Sequence, residues 1–125
     1  MDQNLLVKSG HILVQALDEA GIPPRAAMWV HSTDTDTWKL WLVPHKSVTN
    51  ERDFYRRLSE IVTKSREELG GVDAADVEMA SDTHPAIQGM RRIISMPGCG
   101  SAYFSGNRFD DFYLPDGIVL RMDFT

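Results

Sequence analysis

The sequence predicts an α+β domain, with three helices and a mainly antiparallel sheet of five or six strands in the order α-β-β-α-β-α-β-β-β. Three observations carry this. Apolar residues recur at helical spacing in three segments that end at glycine or proline; β-branched and aromatic runs lie between and after them; and turn-forming residues separate the runs. With 125 residues, 42% hydrophobic and 25% charged, the chain has the size and composition of one ordinary domain over 1–125, so neither a disordered nor a fibrous class fits.

The first helix begins at Asp2 or Gln3 and reaches Ala20, with Gly21 as its stop and Pro23-Pro24 barring continuation. Asn4, Lys8, His11, Gln15 and Asp18 recur at spacings of four and three, forming one narrow polar stripe read as exposed. The rest of the circumference, including Leu5, Leu6, Ile12 and Leu13, is more apolar than a helix lying on one sheet would bury. Two β-branched and aromatic runs around "STDTDT" then predict a hairpin with strands over 26–31 and 37–43. Alternation sets Met28 and Val30 against Trp29 and His31. It sets Trp38, Leu40 and Leu42 against Lys39, Trp41 and Val43, so both faces expect cover.

The second helix spans 50–69. Thr49 or Asn50 caps it, Phe54, Leu58, Ile61, Val62 and Leu69 form its apolar stripe, and Gly70-Gly71 ends it. Asp53 with Arg57 and Glu60 with Lys64, at i,i+4, read as a solvated face. A short strand follows over 77–80. The third helix takes Asp82 or Thr83 as its cap and Pro85 in its first turn, and stops at or before Met96 because Pro97 disfavours a helical residue ahead of it. The remainder reads as a three-strand meander over 101–105, 108–114 and 118–123, turned at Gly106-Asn107 and Pro115-Asp116-Gly117. Packing the second and third helices on one sheet face accounts for their stripes. The apolar excess of the first helix and the hairpin then requires either helices on both faces or a second subunit.

Charge and cysteine content narrow the chemistry. Thirteen basic and 18 acidic residues give a net charge of −5 with no basic cluster, which argues against a nucleic-acid surface. No apolar run approaches a membrane span and the N-terminus lacks a secretory pattern, so a cytoplasmic location without membrane contact is expected. Cys99, the single cysteine, excludes an intrachain disulfide.

Cys99 sits in "PGCGS", but these glycines follow a helix, whereas a phosphate-cradling loop leads into a helix N-terminus. The field of a helix C-terminus opposes an anion and a thiolate. Asp34 and Asp36 have the spacing of a phosphotransfer Asp-x-Asp pair, yet Trp38 stands where a threonine belongs, and turn hydrogen bonds explain them better. His11, His31, His45 and His84 lie on different elements and form no metal motif, so no metal or cofactor is implied. Asp110 and Asp111 alternate across a regular strand. Arg108 and Asp110 share one face, which Arg121 on the next strand can join.

The leading functional expectation is a non-enzymatic interaction or oligomerisation module, homodimeric or bound to a protein partner through the first helix (Leu5, Leu6, Ile12, Leu13) or the Trp29/Trp41 hairpin face. The alternative is a small hydrolase or transferase using Cys99 with a histidine, His84 foremost, on an anionic substrate. Arg91, Arg92, Arg108 and Arg121 are the candidate contacts to an anion or partner. A third reading places a ligand between the first helix and the sheet.

Overall fold

Leucines and valines at three- and four-residue intervals wind the N-terminal segment into α1 (Gln3–Glu19), which buries Leu6, Ser9, Gly10, Leu13, Val14 and Leu17. The computed structural model describes residues 3–124, so Asp2, the other predicted start of this helix, lies outside the described residues. Gly21, at φ +81°, ends the helix as expected. Its N–H bonds Asp18 O at 3.1 Å and the Ile22 N–H bonds Leu17 O at 3.1 Å, the paired closure that a left-handed residue permits.

The hairpin forms as β1 (Ala26–Ser32) and β2 (Thr37–Val43), and α2 (Glu51–Lys64), capped by Asn50, leads through a 3₁₀ turn at Ala74–Asp76 into β3 (Val77–Met79). Then come α3 (Pro85–Ile93), β4 (Ala102–Phe104), β5 (Asn107–Phe109), β6 (Phe112–Leu114) and β7 (Gly117–Met122). Five strands make a mixed sheet in the order β3-β2-β1-β7-β4, parallel only between β2 and β3, while β5 and β6 form a separate two-stranded ribbon. The chain is thus α+β, with three α-helices and seven strands among the described residues.

Connectivity puts helices on both faces. Helix α2 carries the chain from β2 to its neighbour β3 and packs with α1 over Trp29, Leu40, Leu42, Ile118 and Leu120. Helix α3 carries it from the β3 edge towards β4 on the far edge, and packs on the opposite face with Met28, Val43, Val119 and Met122. The expectation that the second and third helices share a face is therefore corrected. The apolar excess finds its cover within one chain.

Several interface candidates are consequently unavailable as a surface. Leu6, Leu13 and Trp29 are buried in the chain's own core. The register pairs Trp29 with Leu40 but Met28 with Trp41, so the two tryptophans occupy opposite sheet faces and form no common patch. The Trp29 indole N–H donates to Leu6 O at 2.8 Å, closing the space between α1 and the sheet where a ligand was considered.

Three further elements differ from expectation. Helix α2 ends at Lys64, with Ser65 as its C-cap, short of the expected stop after Leu69. The predicted strand over 108–114 is a hairpin, because Asp110 turns the chain at φ +54°, a conformation aspartate tolerates better than most residues. The turn pairs Phe109 with Phe112 and lets both join Leu114 against α3; a straight strand would send Phe109 to the other side. The cap of α3 is His84, whose Nδ1 accepts the Ala86 N–H at 3.1 Å, in place of Asp82 or Thr83.

A bulge in β7 shapes everything near its end. Ala27 faces Arg121 while Met28 faces Val119, so Leu120 is an extra residue. Ile118 and Leu120 point to the α1 side, and Met122, which regular alternation would place with them, joins the α3 side. Arg121 is thereby aimed at α1.

The close approach of α1 depends on Gly10, where a Cβ would meet the buried Leu120 side chain and lie 2.9 Å from Trp29 Nε1. Gly10→Ala gains roughly 1 kcal/mol in helix propensity but overpacks a core contact at a cost of about 1–3 kcal/mol. Urea denaturation is expected to show a net loss of stability, and a gain would place Gly10 outside the core seam.

Candidate functional site

The loop holding Cys99 is pinned along its backbone. Met96 and Met122 exchange hydrogen bonds at 2.8 and 2.9 Å, and the Gly100 N–H bonds Leu120 O at 3.0 Å. His11 on α1 reaches Gly100 O through Nε2 at 2.7 Å, which makes Nε2 the donor in the neutral ring. His11 therefore faces a fixed carbonyl and does not belong to an exposed stripe. Cys99 is exposed, with its sulfur 3.9 Å from Arg121 Nη2.

Arg121 organises this end of the molecule. It is 7% exposed, and all three of its guanidinium nitrogens have acceptors. Nη1 and Nη2 bond the two carboxylate oxygens of Asp18 at 2.6 and 2.8 Å. Nε donates to Gly98 O at 3.3 Å, and Nη1 also lies 3.5 Å from Pro24 O. The hydrogen bonds that Arg121 donates to Asp18 hold it above the ordinary arginine value against the opposing effect of burial, so it stays charged. With these partners it is a structural clamp joining α1, the 23–24 turn and the Cys99 loop, and the anion it contacts is the chain's own Asp18 carboxylate. It does not join Arg108, which lies on the ribbon with its guanidinium carbon 5.9 Å from the Tyr113 ring. Asp110 stands in the turn, so the predicted Arg108–Asp110 strand face does not form.

A cleft of about 320 Å³ opens beside the clamp, walled by Pro23, Pro24 and Pro97, with Arg25, His45 and Lys46 around it. Arg25 donates from Nε to Pro44 O at 2.9 Å and from Nη1 to Asp82 at 3.1 Å. Its guanidinium carbon lies 5.7 Å from the Phe124 ring, and that of Arg91 lies 4.1 Å from the same ring. Arg91 also lines a smaller hollow of about 210 Å³ with Phe124, and flanks Arg92 on exposed α3 surface. Two guanidiniums thus converge on one aromatic side chain. The sequence singles out Arg91 and Arg92, and weighs His45 only as a metal ligand; Arg25 and Lys46 carry no local signal beyond the neighbouring prolines.

His84 lies elsewhere, its ring 5.1 Å from Trp41 and 4.6 Å from Phe112. The structure does not bring it to Cys99, whose sulfur meets Arg121. Among the described residues, no three His, Cys, Asp or Glu side chains converge as a metal site requires. No described helix is long and apolar enough to cross a membrane. Large apolar side chains left in water are Tyr103 on β4, Tyr113 on β6, Ile93 at the end of α3 and Leu5.

Comparison with protein-family models, curated proteins and solved structures finds no match to this chain.

Burial lowers the pKa of His84, and the capping bond requires an unprotonated Nδ1, which works in the same direction. A histidine lowered in the folded state contributes stability that is fully present above the unfolded value, about 6.5, and is lost as pH falls through the folded value. Stability should therefore decline below neutral pH. His84→Asn retains a capping side chain and is expected to flatten that decline in urea titrations at successive pH values; an unaltered slope would remove His84 as its source.

Proposed function

We propose that the chain is a non-enzymatic interaction module that pairs with a second copy of itself through the edge of β4. The contrast between the two sheet edges carries this reading. At the β3 edge, the Met79 N–H is taken by the Tyr55 hydroxyl from α2 at 2.8 Å, so a side chain already covers it. Among the described residues no strand lies beyond the β4 edge, and residues 101–105 (Ser-Ala-Tyr-Phe-Ser) contain neither charge nor proline, the devices that commonly discourage edge pairing.

Tyr103, 58% exposed, sits at the centre of this segment. Phe104 packs over Gly117 on the α3 side, so strand alternation turns Tyr103 to the other face, beside Ile118. Antiparallel pairing of two copies of this uncharged segment about Tyr103 places each Ala102 opposite a Phe104 and the two tyrosines together, a self-complementary arrangement. Strand β4 has three residues, so few backbone hydrogen bonds form and association is weak.

A Cys99-dependent hydrolase or transferase has less support. Its sulfur lies against Arg121, and a guanidinium offers only donors and cannot serve as the base that such a nucleophile needs.

Sedimentation equilibrium from micromolar to millimolar concentration should show a monomer–dimer equilibrium. Tyr103→Lys should abolish it while changing stability by no more than about 0.5 kcal/mol, as expected of an exposed site. A wild-type chain that stays monomeric throughout, or a Tyr103→Lys dimer, overturns the proposal.

A further inference from the structure

The proline-walled cleft gathers donors that no other described residue occupies. Arg121 and Asp18 occupy each other, but Arg25 is only partly engaged. Its Nε and Nη1 have acceptors in Pro44 and Asp82, whereas its Nη2 has none among the described residues, although the side chain is only 18% exposed. Lys46 lines the same cleft and has no ion-pair partner among the described residues. The third donor is set by local bonding: His45 Nδ1 accepts the Ser47 N–H at 3.2 Å, so the neutral ring carries its proton on Nε2.

Shape and charge support the same reading. Proline rings fix φ and expose carbon in place of N–H, so Pro23, Pro24 and Pro97 form stiff apolar walls that need little ordering when a ligand enters. The volume of about 320 Å³ lies at the low end for small-molecule sites. Within a chain of net charge −5, the charged lining of the cleft holds Arg25, Lys46 and Arg121 against Asp18 and Asp123, a local excess of positive charge.

The geometry points to a binding site for a small phosphate monoester. The phosphoryl oxygens take the N–H donors of Arg25, Lys46 and His45, and the proline rings pack against a compact carbon skeleton. Arg25 supplies the N–H donors of Nη2, its other nitrogens being held by Pro44 and Asp82, and Lys46 supplies a mobile point charge. The site shares no residue with the β4 edge, so this inference and the dimer proposal fail independently.

Amide NMR titration of the full chain with glycerol phosphate, inorganic phosphate and glycerol tests it. Glycerol phosphate should shift the amides of Arg25, Lys46 and Asp123 saturably, inorganic phosphate should bind the same place more weakly, and glycerol should leave them unmoved. Lys46→Glu should weaken glycerol phosphate binding about tenfold. Arg92→Glu, which makes the same charge change at an exposed position outside the cleft, should alter it by less than about twofold because of screening. Absence of saturable shifts, shifts centred elsewhere, or equal losses in the two variants overturns the assignment.

Discussion

One buried guanidinium holds the end of this protein around α1 and the Cys99 loop in shape. Arg121 sits on a strand yet bonds both oxygens of a helix carboxylate, Asp18, and two carbonyls from loops far apart in sequence. A buried arginine is tolerable only when its donors are satisfied, because leaving such a charge unpaired costs several kcal/mol. The requirement therefore runs outward. The end of α1, the 23–24 turn and the 98–99 backbone must all come to Arg121, and the proline-walled cleft is the space left between them.

The clamp exists because the sheet is irregular at one place. Were β7 regular, with Leu120 paired in the ladder, Arg121 would share a face with Val119 and point towards α3, away from Asp18. With the bulge, Met122 enters the α3-side core and Arg121 enters the α1 side. The same stretch receives the Cys99 loop, through the Gly100 bond to Leu120 O and the paired bonds between Met96 and Met122. The glycine-flanked cysteine is thus part of a tied surface strap, with its sulfur turned to a donor.

Much of the fold was legible in periodicity. The stripes of the helices, the β-branched hairpin and the glycine stop at Gly21 follow from local spacing and backbone preference, and the structure reproduces them. What sequence spacing did not carry was pairing between distant segments. The bulge at Leu120 leaves no mark in composition, so Arg121 looked like a surface cation. The turn at Asp110 was read through because its flanking aromatics continue a strand pattern, and the opposite-face placement of α3 depends on which edge β4 joins. The polar stripe of α1 was found correctly but its meaning was not: His11 and Asp18 face a loop and an arginine from the other end of the chain.

Both functional readings rest on features the core does not use: an uncovered strand edge with Tyr103, and donors of Arg25, Lys46 and His45 around stiff walls. The second depends on the clamp, since Asp18 and Arg121 line the cleft they frame. A double-mutant cycle on Asp18→Ala and Arg121→Met, followed by urea denaturation, tests that dependence most directly. The account predicts a coupling energy of about 2 kcal/mol, because removing either partner alone strands the other while removing both does not. Additivity within about 0.5 kcal/mol would contradict it, showing that the pair contributes nothing beyond its separate side chains.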